Sequence, residues 1–187
     1  MAFLEDIKAF CPVDEQEAAD QRAMVFYIER NPDDVLLRSN EIAHMTSSSM
    51  IFNKTMDKVL MAYHNIYQNW CWTGGHADGD PDLLVVAVRE AGEETSVSPI
   101  TILSPSIVAL DVITVPRHIK RGVFVPAHVH LNTTYALMAD ESSAISNKPD
   151  ENSGVAWIPI EDLKARTADE PFMFEIYDKI IKRSLAL

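Results

Sequence analysis

Positive charge is what this chain most conspicuously lacks: 16 lysines and arginines stand against 28 aspartates and glutamates, a formal net charge of −12 at pH 7. A surface of that sign repels nucleic acid and anionic membrane, so neither is an expected partner. Cysteine is scarce as well. Cys11 and Cys71 lie far apart without metal-type spacing, which argues against a disulfide framework and for reduced thiols in a cytoplasmic protein. No apolar run reaches membrane-spanning length, and the N-terminus has no basic region leading into a long apolar stretch. Repeats and low-complexity linkers are missing too. What remains is a chain of 187 residues, 47% of them hydrophobic, which suits one domain with a substantial core.

Along the chain, Phe3, Leu4, Ile7 and Phe10 mark a short amphipathic helix that Pro12 ends. A second helix runs through Ala18, Ala19, Ala23 and Phe26 to Arg30, before Asn31-Pro32. Residues 33–40 read as a short helix or turn. Residues 43–53 are poor in helix formers and read as a strand, and residues 58–64 as its hairpin partner. Trp70-Cys71-Trp72 then leads into Thr73-Gly74-Gly75. Further strands are expected at 107–115, 128–138 and 154–160, and a closing amphipathic helix at about 169–185.

The stretch from Gly75 to Val97 carries the chemistry. Glu90, Glu93 and Glu94 stand at i, i+3 and i+4 of a segment with helical periodicity, so their carboxylates share one face. Leu84, Val88, Ala91 and Thr95 are expected to pack the other side, with Asp80-Pro81 starting the helix. Three clustered negative charges force proton uptake unless a cation is present. Oxygen ligands suit a hard ion, Mg²⁺ or Mn²⁺. A plain solvated acidic face is the commoner meaning of such glutamates.

Two further groups are candidates. Residues 116–126 read as a loop with an unusual basic cluster, Arg117, Lys120 and Arg121, which either is solvated or contacts phosphate. In the following strand, alternation puts His128, His130, Asn132 and Thr134 on one face. Two histidines at i, i+2 serve as metal ligands, as substrate contacts, or simply as residues of a polar sheet face. A zinc site is not expected, because no third nitrogen or sulfur ligand has recognisable spacing.

The glutamate stretch resembles the Nudix box, G-x5-E-x7-R-E-U-x-E-E-x-G-U, with U a bulky aliphatic residue. Gly75, Arg89, Glu90, Glu93, Glu94 and Val97 match, Ala91 matches weakly, and Pro81 and Ser96 depart from the pattern. Trp72, His76 and the Trp157…Glu161-Asp162-Leu163 turn extend the likeness over about 43–187. The resemblance implies an α+β fold, a Nudix-type α/β/α sandwich with a mixed sheet: residues 41–187 as the core and 1–40 as a helical N-terminal extension. It implies hydrolysis of the pyrophosphate bond of a nucleoside diphosphate linked to another moiety, and a homodimer is frequent among relatives. Gly75, through its carbonyl, and Glu90, Glu93 and Glu94 would hold the metal, and Arg89 would orient a glutamate. The general base would be Glu90, Glu93 or a carboxylate beyond the box such as Asp140 or Glu141. His128, His130, Arg117 and Arg121 would meet the substrate. Three alternatives share the sequence: a non-catalytic Nudix-fold binding module, an isopentenyl-diphosphate isomerase, whose reactive cysteine would have to be Cys71, and a structural domain with an incidental acidic helix.

Overall fold

The computed structural model describes residues 1–120 and 122–187. Two helices open the chain, α1 (Ala2–Ala9) and α2 (Glu15–Arg30), the second capped by Asp14, whose side chain accepts from the Glu17 N–H. Turns occupy 32–39. Strands β1 (Ala43–Phe52) and β2 (Lys58–His64) form the expected hairpin, followed by β3 (Asn69–Cys71) and β4 (Thr73–His76). The glutamate helix α3 is Leu83–Thr95. Then come β5 (Ile100–Ile102), β6 (Ala109–Val115), β7 (His118–Lys120), β8 (Val123–Val125), β9 (His128–Ala139) and β10 (Asn152–Pro159). A 3₁₀ turn at Ile160–Asp162 leads into α4 (Leu163–Arg166), and α5 (Pro171–Ser184) closes the chain.

The main sheet runs β10-β2-β1-β9-β5, with β3 on β2, β4 on β1 and β6 on β9. Among the described residues only β1 and β9 pair in parallel, over ten residues, so the sheet is mixed. β1 is buried along its whole length, although its middle reads Thr46-Ser-Ser-Ser49. Each hydroxyl there has a partner, as burial demands. Thr46 and Ser48 both donate to Asn132 Oδ1 at 2.9 Å, Ser47 donates to the Leu83 carbonyl at 2.6 Å, and Ser49 shares a 2.8 Å bond with Thr73. Small hydroxyls let α3 and β4 approach closer than branched side chains would.

Alternation along β1 separates two cores. Met45 and Ile51 pack toward α3 with Leu83, Ala87 and Ala91, and the N-terminal helices extend that layer through Ile7, Met24 and Ile28. Met50 and Phe52 pack the other way, against Ile176, Tyr177 and Ile180 of α5. The result is helix, sheet, helix. The outer edge of β6 is covered by α2: Glu17 accepts from the Leu110 N–H and Asp20 from the Val112 N–H, at 3.4 and 3.2 Å. Side-chain carboxylates thus occupy donors that an open edge would offer to another strand.

Three expectations need correction. Helix α3 starts at Leu83, not at Pro81: Asp80 accepts from the Asp82 N–H and holds Pro81 in a turn, and Asp82 is the cap, accepting from the Val85 N–H. The buried stripe of α3 is Leu83, Val86, Ala87, Ala91, Glu94 and Thr95, rotated from the expected one, so one glutamate lies on the packed side. The region 116–126 is not all loop, since β7 and β8 pair as a small separate sheet with Ile119 opposite Phe124. The second of these strands is the short apolar run Val123-Phe124-Val125, which follows closely on the basic cluster.

Ser96 adopts the left-handed conformation at the end of α3, φ 57°, that a glycine would take without strain. The turn keeps its capping bond, Ser96 N–H to the Gly92 carbonyl at 2.8 Å, and Ser146 reaches across to the Ser96 hydroxyl at 2.8 Å. A non-glycine residue in this conformation costs about 1 kcal/mol. Ser96→Gly is therefore expected to stabilise the protein by about 0.5 kcal/mol after loss of the Ser146 contact, read as a higher urea midpoint. A lower midpoint would show that the hydroxyl pair outweighs the strain.

Candidate metal and catalytic site

The glutamates of α3 do not share one environment. Glu93 is 47% exposed at its side chain, Glu90 15%, and Glu94 is buried. Glu94 turns under the helix toward β4 and accepts from the Gly74 N–H at 2.9 Å. Burial, opposed by that hydrogen bond, pushes its carboxyl up to about 8. Glu90 is also raised, first by burial and then by the neighbouring Glu93 charge. Both shifts express the conflict expected for clustered carboxylates removed from water.

The glycines of β4 make this arrangement possible. A Cβ on Gly75 would sit 2.4 Å from the Glu90 carboxyl carbon, and one on Gly74 would meet Ser48 Oγ at 2.4 Å. Gly75 is thus an open floor beneath the Glu90 carboxylate, with its strand register set by Ser47. Arg89 lies 3.5 Å from both Asp80 and Glu90 and 3.9 Å from Glu93, linking the helix start to the carboxylates.

Two participants were not legible in the sequence. Lys148, on the loop before β10, bonds Glu93 at 3.1 Å and Glu151 at 3.2 Å. Glu151 is the carboxylate outside α3 whose charge raises Glu90 and Glu94. The two carboxylates expected from beyond the box sit elsewhere: Asp140 pairs with Lys54 at 2.5 Å and Glu141 with Lys58 at 2.9 Å, against the β1–β2 turn, and both are held below the usual carboxylate range by those lysines. A polar loop of ordinary composition gave no signal for which of its acids would face the helix.

The remaining candidates among the described residues are not gathered here. Gly75 faces α3, and the next residue, His76, faces the opposite side of the sheet, as do His128 and His130. Arg117 is exposed just before β7. Arg121 lies outside the described residues. Cys71 is half-buried, and burial pushes its thiol up to about 12, so it is no nucleophile at neutral pH. Cys71→Ser is expected to leave turnover unchanged in a steady-state assay. An inactive but folded variant would restore the isomerase reading.

A family model described as the NUDIX domain matches residues 43–180. No curated protein matches the sequence significantly. Among solved structures, a NUDIX-family hydrolase from Clostridium perfringens is similar at 19% identity over 74% of this chain and 96% of its own, with a TM-score of 0.53. An Ap4A hydrolase binary complex from C. elegans is similar at 16% identity over 76% of this chain and 95% of its own, TM-score 0.51. A bifunctional NMN adenylyltransferase/ADP ribose pyrophosphatase from Francisella tularensis is similar at 14% identity over 87% of this chain and 47% of its own, TM-score 0.52. At these identities the likeness concerns the fold. A matching domain model over most of the chain, laid on a glutamate helix packed against a Gly-Gly strand, places this protein in the NUDIX family of hydrolases.

Proposed function

We propose that the protein is a divalent-cation-dependent pyrophosphohydrolase acting on a nucleoside diphosphate linked to another moiety. The observation that carries this reading is the glutamate trio of α3, with Glu90 lying over Gly75 and Glu94 held by the Gly74 N–H, both buried enough to be raised, in a protein of the NUDIX family. The donor set fits a hard cation: carboxylate oxygens with no sulfur and no nitrogen among them, beside a glycine that leaves room at the Glu90 carboxylate.

In this reading Glu90, Glu93 and Glu94, with the Gly75 carbonyl, hold Mg²⁺ or Mn²⁺. When bound, the cation supplies charge neutralisation of the diphosphate and an attacking water of lowered pKa. Glu94 is positioned by the Gly74 N–H, which fixes one of its oxygens. Glu93 is the carboxylate of the three most open to solvent, and it is flanked by Arg89 and Lys148. Arg89, tied to Asp80 and Glu90, keeps the trio in register. In a chain of net charge −12, Arg89 and Lys148 are, among the described residues, the cations beside the trio that can meet a polyphosphate anion.

The test is a panel of dinucleoside polyphosphates, nucleotide sugars, ADP-ribose-type compounds and nucleoside triphosphates, assayed with Mg²⁺ or Mn²⁺ and with chelator. Metal-dependent release of phosphorylated products from one class is expected. Ligand binding without turnover across the panel would make the protein a binding module instead. Gly75→Ala probes the same geometry: the added methyl must displace the Glu90 carboxylate, so activity is expected to fall at least about tenfold, as when a supporting group of a metal site is lost.

A further inference from the structure

We propose that His44, His76, His128 and His130 form a second metal site, for Zn²⁺ or a similar nitrogen-preferring transition-metal ion, on the sheet face opposite the glutamates. The four residues come from three strands, β1, β4 and β9, and their ligand atoms all lie within 4.8 Å of one another. The sequence shows only the His128/His130 pair as a spacing. Parallel pairing sets His44 beside His130, and antiparallel pairing sets His76 opposite Thr46, two residues further along β1. Side-chain alternation then points all of these histidines to one face.

The geometry approaches a tetrahedral site. With metal–nitrogen bonds of about 2.0–2.1 Å, tetrahedral coordination sets nitrogens roughly 3.3 Å apart. His128 Nε2 and His130 Nε2 are already 3.2 Å apart. Bringing in the other rings from within 4.8 Å takes shifts of about 1 Å when shared between partners.

The tautomers are set for coordination by groups outside the cluster. His44 Nδ1 lies 2.9 Å from the Asn40 carbonyl and His128 Nδ1 lies 2.9 Å from the Pro126 carbonyl. A carbonyl only accepts, so each Nδ1 carries the proton and each Nε2 presents a lone pair to the cluster. Backbone carbonyls on the far nitrogen are the usual support of metal-bound imidazoles. An independent observation points the same way: His44 is 4% exposed, and its Nε2 has no hydrogen-bond partner. A buried nitrogen lone pair among three other imidazoles is costly unless something positive occupies the centre.

Ligand chemistry separates this site from the other. Imidazoles select borderline ions of the Zn²⁺ class, whereas the carboxylates and carbonyl at α3 suit Mg²⁺ or Mn²⁺. Four protein ligands also leave no open position, so the site is structural, a clip that ties the starts of β1 and β9 to the end of β4. Because His76 directly follows Gly75, the clip fixes the strand on which the glutamates rest.

The experiment is Zn²⁺ titration of the purified full chain, first stripped with chelator, in excess Mg²⁺. One Zn²⁺ per chain with submicromolar half-saturation and a raised melting temperature is expected. Co²⁺ should give the intense visible absorption of a tetrahedral nitrogen site. His130→Gln and His128→Gln should each weaken Zn²⁺ at least 100-fold, whereas Glu94→Gln should leave it unchanged. Two different histidine variants guard against misfolding of one, which far-ultraviolet circular dichroism would reveal. Zn²⁺ binding that is only micromolar or weaker, or is lost in Glu94→Gln and kept in both histidine variants, would overturn the proposal. The second pattern would place the ion at the glutamates.

Discussion

Glu94→Gln is expected to lower metal-dependent turnover by at least about 10²-fold while leaving the fold intact. Replacing even an outer partner of a metal ligand typically costs 10- to 100-fold, and this change removes a proposed ligand charge itself. The substitution is close to isosteric, and the glutamine oxygen can still accept from the Gly74 N–H that Glu94 uses now. Burial pushes the Glu94 carboxyl up to about 8, so near neutral pH without cation the side chain is mainly the neutral acid, which glutamine imitates. Thermal melts in chelator should therefore agree between variant and parent, and the extra stability that Mg²⁺ confers on the parent should shrink or vanish in the variant. A Glu94→Gln protein with parental turnover in Mg²⁺ would remove Glu94 from the site.

Glu17→Ala is expected to cost about 3–5 kcal/mol of stability without touching the chemistry, the usual penalty for removing one partner of a buried charge network. Glu17 is fully buried, and its carboxylate accepts from the Val13 and Leu110 N–H groups and pairs with Lys179 at 3.2 Å and Arg183 at 2.8 Å. One side chain thereby joins α2, the edge of β6 and α5. Its loss leaves Arg183 without its carboxylate and Lys179 with Asp111 alone. In a chain of this length such a loss shifts the melting temperature by roughly 10 °C. A shift under about 2 °C would mean the network contributes little beyond packing. Activity measured well below the transition should stay near the parental value, which separates this role from that of the α3 glutamates.

Much of the scaffold was legible because it depends on local periodicity. The two N-terminal helices, the β1–β2 hairpin, the strands near 109–115 and 128–139 and the last helix all fall close to where hydrophobic spacing and prolines put them. The glutamate constellation was legible for the same reason, since i, i+3 and i+4 on one helix need no tertiary knowledge. At the start of α3 one local hydrogen bond outweighs another. Asp80-Pro81 has the composition of a helix start, but the Asp80 side chain spends its hydrogen bond on the Asp82 N–H and delays the helix to Leu83.

The sequence alone determined that this chain folds as an α+β protein and carries three clustered carboxylates suited to a hard cation. Only the tertiary structure decided how different those carboxylates are. Packing of α3 on β1 and β4 buries Glu94, covers most of Glu90 and leaves Glu93 to solvent. Only the tertiary structure supplied Lys148 and Glu151 from a featureless loop, and sent Asp140 and Glu141 to other lysines. The four histidines are the clearest case. Positions 44, 76, 128 and 130 have no spacing that marks them as a set. They meet because β1 pairs in parallel with β9 on one side and antiparallel with β4 on the other, and strand register is a long-range property that no local window contains.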